Sequence, residues 1–416
     1  MNGTVDLIVV IVMVALAPIA TAGCSHWVRV PTVVVEIALG VLAGPDVLSW
    51  IDQDNAVVGE ISDFGLVMLM FLAGYEIDIP RIKGAPLRSA ATGWAVSLVL
   101  GLGAGMLMTT VVGGATMTGI AIGLALTTTA LGTILPIIRD AGLLPTPLGA
   151  HIMAIGTVGE FAPIVAIALL LSGRHPGATL LALGIFAVLA LATVWLAVKP
   201  NPRWLDVLVV RTLHSSGQLA IRLAMLVMVF LVWFAAELEL DNLIGAFTAG
   251  VALRLSLMHA PGALVETISA KLDAIGFGFF VPVFFVMSGV GFDLDALLHD
   301  PKLLVLIPVM MLLFLAVRAV PTYLLAGRGE VAGRRRELAL FASTALPLIV
   351  VITNIAVENE YMKSGTAAAL VGAGMLSVLV FPQLALRTAG DSTRPRVEDF
   401  AADGRGDDED EVLSDR

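Results

Sequence analysis

The strongest constraint on this chain is a series of apolar runs, each close to the ~20 residues that a helix needs to cross a bilayer. Punctuated by Gly, Pro and charged residues, thirteen such runs fall near 4–22, 31–49, 61–79, 89–112, 115–138, 148–172, 177–199, 218–239, 242–259, 273–292, 302–326, 336–357 and 366–388. Hydrophobic residues make up 58% of the 416 and charged residues 14%, against roughly 25% charged in soluble domains. No single water-soluble core could hide so much apolar surface. The expected fold is therefore an all-α membrane protein of 13 transmembrane helices. The first run lacks the positive flank of a cleaved signal peptide and is read as a retained span.

Basic residues are distributed unevenly between the connecting segments. Those after odd-numbered runs carry fourteen: Arg29; Arg81, Lys83 and Arg88; Arg139; Lys199, Arg203 and Arg211; Arg254 and Lys271; Arg328, Arg334, Arg335 and Arg336. Those after even-numbered runs carry three, Arg174, Lys302 and Lys363. The positive-inside rule then places the N-terminus outside and the C-terminus in the cytoplasm of a plasma (inner) membrane. The formal charge of −10 is concentrated in residues 391–416, which hold ten acidic and four basic residues. That composition predicts a disordered acidic tail behind a transmembrane domain over 1–390. No basic patch is interleaved with aromatics, so nucleic acid is not an expected partner. The single cysteine, Cys24, excludes intrachain disulfides and cysteine-based metal clusters. Six scattered histidines and the lack of a nucleophile–base pair give no reason to expect an enzyme or a cofactor.

Low-level self-similarity divides the chain. Phe71-Leu72-Ala73-Gly74-Tyr75-Glu76-Ile77-Asp78 matches Val286-Met287-Ser288-Gly289-Val290-Gly291-Phe292-Asp293 at an offset of 215, and Thr129-Ala130-Leu131 matches Thr344-Ala345-Leu346 at the same offset. Leu39-Gly40-Val41-Leu42-Ala43 matches Ala249-Gly250-Val251-Ala252-Leu253 at 210. Seven spans separate each pair, an odd number, so the repeats, roughly 31–172 and 242–388, are expected to run in opposite directions. Inverted repeats of this kind enclose a substrate site near the membrane midplane in secondary transporters.

The fifth and twelfth runs carry the polar chemistry of that midplane. Leu126-Thr127-Thr128-Thr129-Ala130-Leu131-Gly132-Thr133-Ile134-Leu135-Pro136 and Ser343-Thr344-Ala345-Leu346-Pro347 combine hydroxyls with proline inside apolar sequence. Proline removes a backbone donor, and hydroxyls can satisfy the carbonyls it frees. Thr128, Ala130, Thr344 and Ala345 are thus expected to be unwound. Glu160 lies mid-span, roughly 18 Å from either end at ~1.5 Å per residue, too deep for its carboxylate to reach an interface. Such an acid can hold a proton or coordinate a cation, and is a functional candidate by default. Its repeat equivalent is Met375, so the architecture does not impose it. Arg318, in the eleventh run, either snorkels to the interface, or compensates the carbonyl ends of broken helices, or forms a switchable pair with Glu160. Glu36 either lines a cytoplasmic funnel or packs structurally. Gly101-Leu102-Gly103-Ala104-Gly105 reads as close helix packing.

With these residues in view, the chain resembles the monovalent cation:proton antiporter-2 family. The matching stretches are Pro31-Thr32-Val33-Val34-Val35-Glu36 with Gly40 and Gly44-Pro45; Phe71 to Glu76; Leu243-Ile244-Gly245-Ala246-Phe247-Thr248-Ala249-Gly250; and Pro282-Val283-Phe284-Phe285-Val286-Met287-Ser288-Gly289. The resemblance implies a homodimer, a mobile core domain, and a Na⁺ or K⁺ site beside two crossed discontinuous helices, here the fifth and twelfth runs. It implies cation:proton antiport by alternating access, with Glu160 taking the proton and Thr129, Thr133, backbone carbonyls and water completing the cation shell. Arg318 takes the place of the family's basic residue in a later core helix. Where the family usually has Asp-Asp, Asn-Asp or Gln-Asp, this chain has Gly159-Glu160. Two other readings use the same scaffold: a cation channel or uniporter, or a non-transporting sensor or complex subunit. With one central acid beside an arginine that stays protonated, antiport would be electroneutral.

Overall fold

Helices form the regular structure that the sequence pattern demands. The computed structural model describes residues 3–24, 31–53, 55–77, 82–171, 176–198, 212, 218–258, 260–325 and 331–388. The acidic tail and the basic residues Arg29, Arg81, Arg174, Lys199, Arg203, Arg211 and Arg328 lie outside the described residues, as does Asp78 of the repeated motif. In chain order the principal helices are α1 (Gly3–Cys24), α2 (Thr32–Ala43), α3 (Ala56–Tyr75), α4 (Ala85–Val112), α5 (Thr116–Leu126), α6 (Leu131–Asp140), α7 (Pro147–Leu170), α8 (Pro176–Val198), α9 (Leu219–Glu237) and α10 (Asn242–Ser256). They continue with α11 (Gly262–Ile275), α12 (Val281–Val290), α13 (Leu294–His299), α14 (Pro301–Phe314), α15 (Val320–Leu325), α16 (Arg335–Ala342), α17 (Pro347–Glu358) and α18 (Ser364–Thr388).

Two of these junctions are π-helical turns, Gly276–Phe280 between α11 and α12 and Leu315–Ala319 between α14 and α15. Each stands just ahead of a proline, Pro282 and Pro321, whose missing N–H leaves an upstream carbonyl without its helical partner. Widening the turn lets the helix continue past that defect.

Among the described residues, eleven helical stretches are long and apolar enough to cross a membrane, against the thirteen expected. The other two, α2 and α10, have 12 and 15 residues. The 31–49 run is cut at Gly44-Pro45, where Gly44 is already extended. At its start α10 is stopped by Asp241, whose carboxylate accepts from Leu243 N at 3.0 Å. On α4, α8 and α9, Val99, Leu107, Val188, Leu191 and Leu226 are each at least 62% exposed. Water would not tolerate such a surface, whereas lipid matches it. The molecule is a multi-pass membrane protein.

Glycines set the tightest crossings. An added methyl at Gly40 on α2 would overlap the carbonyl of Val286 on α12, and one at Gly289 that of Ile37. The same reciprocal overlap joins Gly250 on α10 to the Phe71 carbonyl on α3, and Gly74 to Phe247. Gly105 of α4 meets the Gly119 carbonyl of α5 in the same way, so the close packing expected of the Gly101–Gly105 stretch is present.

Candidate functional site

The site is built where two helices break and cross. Helix α5 stops at Leu126 and α6 resumes at Leu131; α16 stops at Ala342 and α17 resumes at Pro347. Thr128, Ala130, Thr344 and Ala345 all lie in the segments between these helices. Threonine and serine hydroxyls satisfy the carbonyls these breaks would orphan. Thr127 Oγ1 donates to Leu124 O at 2.7 Å, Thr128 Oγ1 to Ala125 O at 2.9 Å and Ser343 Oγ to Ala339 O at 3.0 Å. The segments are joined where Ala130 N donates to Thr344 O at 2.8 Å. Ser377 of α18 completes the frame, its hydroxyl accepting from Ala345 N at 3.0 Å and lying 2.9 Å from Ala345 O.

Helix α7 supplies the acid. Pro163 lies inside this helix and has no N–H to give the carbonyl four residues back, that of Gly159. The freed Gly159 carbonyl accepts instead from Thr129 N at 3.0 Å, which ties α7 to the unwound segment. That tie sets Glu160 over the first turn of α6. Its Oε1 accepts from Leu131 N at 2.9 Å and Gly132 N at 3.4 Å. A carboxylate there meets the positive end of the helix. Glu160 is 3% exposed, and its Oε2 is buried with no hydrogen-bond partner. One oxygen is thus held and the other is unused.

Arg318 supplies the base at the opposite kind of helix end. Carried on the Leu315–Ala319 π turn, it points inward and is 2% exposed, so it does not snorkel. Its Nε lies 3.3 Å from the last carbonyl of α16, Ala342 O, and its Nε and Nη2 donate to Thr129 Oγ1 at 3.1 and 2.6 Å. The guanidinium thus lies at the carbonyl end of α16, and no ion pair within 4.0 Å joins it to Glu160. Thr129 Oγ1 in turn donates to Ala342 O at 2.7 Å. A hydroxyl has one proton and two lone pairs, so Thr129 has nothing left for a cation in this conformation. Its expected place in a cation shell is here occupied by a guanidinium.

Gly159 explains how the guanidinium fits. An added Cβ would lie 2.6 Å from Thr129 Cβ, 2.7 Å from Thr129 Oγ1 and 2.9 Å from Arg318 Nη2. The room that a side chain would take at this first motif position is filled by Thr129 and Arg318. Thr133, one turn into α6, donates to Ala130 O at 3.1 Å and keeps its lone pairs. Glu36 is 5% exposed on α2, which packs on α1 and α12, and makes no hydrogen bond to this cluster. A cleft of about 520 Å³ lies beside the C-terminal half of α17, lined by Val350, Val351 and Asn354 and by four acids, Asp63, Asp241, Asp293 and Glu358; no Lys or Arg is among its described lining residues.

Sequence reasoning missed Ser377 and the Pro163–Gly159–Thr129 link. Ser377 gave no signal, being one hydroxyl in an apolar helix. Pro163 did give one, since four residues back from it stands the glycine preceding Glu160.

Residues 11–386 match a family model described as sodium/hydrogen exchanger, transmembrane. The chain is 25% identical over 402 residues to the putative Na(+)/H(+) antiporter YjbQ of Bacillus subtilis, covering 91% of this chain and 62% of that protein. It thus spans less than two thirds of that relative's length. Over 390 residues it is 23% identical to a Na(+)/H(+) antiporter of Enterococcus hirae, covering 89% of this chain and 95% of that one. In fold it is similar to the sodium proton antiporter MjNhaP1 from Methanocaldococcus jannaschii, with a TM-score of 0.67 at 16% identity, covering 93% of this chain and all of that one.

Proposed function

The chain belongs to the sodium/hydrogen exchanger transmembrane family, and from that premise we propose that it exchanges a monovalent cation, Na⁺ or K⁺, for protons by alternating access. Family membership makes it a secondary transporter rather than an enzyme. The observation that carries the proposal is the divided state of Glu160. Oε1 is fixed by the α6 amides, while Oε2 is buried without a partner. A buried charged oxygen with no donor is costly, so Oε2 takes either a proton or a cation. Because Oε2 can hold only one of them at a time, the two compete, which is the chemical requirement for exchange.

Thr133 Oγ1, freed carbonyls and water complete the cation shell. Thr129 joins it only when Arg318 withdraws, so the Arg318–Thr129–Ala342 cluster is a lock that reports on the state of the site. Arg318 holds its charge throughout, and one cation then replaces one proton with no net charge moved. The acid-lined cleft is the outer route, since all four of its carboxylates fall at the ends assigned outside by the basic residues. The reciprocal glycine crossings support the inverted repeats over 31–172 and 242–388, because each exchanges corresponding elements between the two halves. In this reading α2 and α10 are short spans, giving thirteen, and the exposed apolar faces serve lipid and a second copy in a homodimer.

The test is Glu160→Gln in proteoliposomes with an imposed pH gradient. A glutamine oxygen still accepts from Leu131 and Gly132, so the protein folds, yet an amide carries no proton and coupled flux is abolished. Near-normal exchange by this variant would remove Glu160 from the mechanism.

A further inference from the structure

Helix α3 carries acids at both ends. Asp63 lines the outer cleft. Thirteen residues on, about 20 Å along the helix at ~1.5 Å each, Glu76 caps its other end, with its backbone N–H on Leu72 O at 2.9 Å. The Glu76 side chain points into protein, and its Oε2 is buried without a partner. Its place is set by tight contacts. Gly74 abuts the Phe247 backbone, and the Phe247 ring stacks at 5.0 Å on Phe161, the neighbour of Glu160. Ala73 and Ile77 belong to the same apolar cluster as Leu131, whose N–H holds Glu160.

Charged groups from three elements lie close enough to act on the charge of Glu76: Glu160 of α7, Asp273 of α11 and Arg139 in the last turn of α6. Arg254 of α10 lies next to them, over the ring of Tyr75 at 5.8 Å. These acids do not converge as a three-ligand metal cluster among the described residues. Glu160 stands at the first turn of α6 and Arg139 in its last, so the groups around Glu76 are spread along that helix.

We infer that Glu76 is a relay carboxylate, receiving the proton from Glu160 and passing it toward Asp273 at the inner mouth while the cation moves the other way. The step is a plain proton transfer: protonated Glu160 and ionised Glu76 become ionised Glu160 and protonated Glu76. The inference rests on the antiport reading of Glu160 and supplies the inner half of its path. Thr157 Oγ1 on α7 is also buried without a partner, but a hydroxyl does not ionise at physiological pH, whereas the Glu76 carboxylate can take up and release a proton.

The test compares wild type, Glu76→Gln, Glu76→Met and Glu160→Gln in liposomes, with exchange of Na⁺ and of K⁺ driven by a pH gradient. Stabilisation of each purified protein against heat by the same cations is measured in parallel. Methionine is included because an apolar isostere suits a buried socket that offers no donor, so it folds even if glutamine does not. Under the relay, both Glu76 variants keep the cation-dependent stabilisation and lose about tenfold or more in turnover, whereas Glu160→Gln loses both. Turnover by either folded Glu76 variant within about twofold of wild type, with Glu160→Gln inactive, overturns the relay and leaves the antiport reading standing. Loss of cation-dependent stabilisation in the Glu76 variants makes Glu76 part of the binding site and also overturns the relay. Wild type that exchanges neither cation overturns the antiport reading itself.

Discussion

Gly159→Ala adds a single methyl group at the most crowded point of the site. The new Cβ would stand 2.6 Å from Thr129 Cβ, about 1 Å inside the ~3.5–4.0 Å at which carbon atoms pack. Thr129 cannot retreat freely, because its N–H is held by Gly159 O and its hydroxyl by Ala342 O and Arg318. Overpacking a rigid interior costs about 1–3 kcal/mol. Loosening the hydrogen bonds of a buried charged group adds about 1.5–3 kcal/mol. Replacing glycine by alanine in a helix returns up to ~1 kcal/mol. The net expectation is a loss of about 2–4 kcal/mol together with weakened transport, because Arg318 is displaced from the end of α16. Gly103→Ala on α4 is the matched control, since nothing lies within 4 Å of its added Cβ, and it should be neutral or slightly stabilising. Thermal unfolding of the detergent-purified proteins, read beside exchange in liposomes, measures both quantities. A Gly159→Ala protein as stable as the Gly103→Ala control would refute the account of Gly159 as the space that seats Thr129 and Arg318.

Three further outcomes are expected. Arg318→Lys should cut exchange about tenfold or more, because an ammonium lacks the fork that reaches Thr129 and Ala342 together; flux near wild type would show that any cation serves there. Cysteine labelling in intact cells should find position 300 outside and positions 83 and 335 in the cytoplasm, and outside labelling at 335 would overturn both the orientation and the inverted repeat. Exchange under a clamped membrane potential should carry no steady current, and a current that depends on both pH and the cation would rule out one-for-one antiport.

Most of the site was legible because its chemistry violates the surrounding sequence. Glu160 and Arg318 are charges in hydrocarbon, and the threonine–proline runs are poor places to continue a helix, so both announced themselves. The broken segments 127–130 and 343–346 follow from the same rule. What escaped was the allocation of hydrogen bonds. Thr129 and Thr133 look alike in sequence, yet Thr129 is consumed by Arg318 while Thr133 retains its lone pairs, a distinction set by a residue nearly two hundred positions away. Glu36 and Glu76 also look alike, each an acid near the end of an apolar run. Only packing separates them: Gly74, two residues before Glu76, abuts Phe247, whose ring stacks on Phe161 beside Glu160. The length of the second helix was not legible at Gly44-Pro45, where hydrophobicity persists but the helix does not.

The Gly40–Gly289 crossing also bears on how the chain is made. Helix α2 buries its glycine face against α12, and the two are separated by about 250 residues, which a ribosome adding ~5–20 residues per second takes roughly 12–50 s to produce. Throughout that interval α2, at twelve residues, is too short to anchor itself across the bilayer and lacks the surface it was shaped for. The newborn N-terminal half therefore waits unfinished in the membrane, and the molecule is assembled by the arrival of its second half rather than by the stepwise closure of its first.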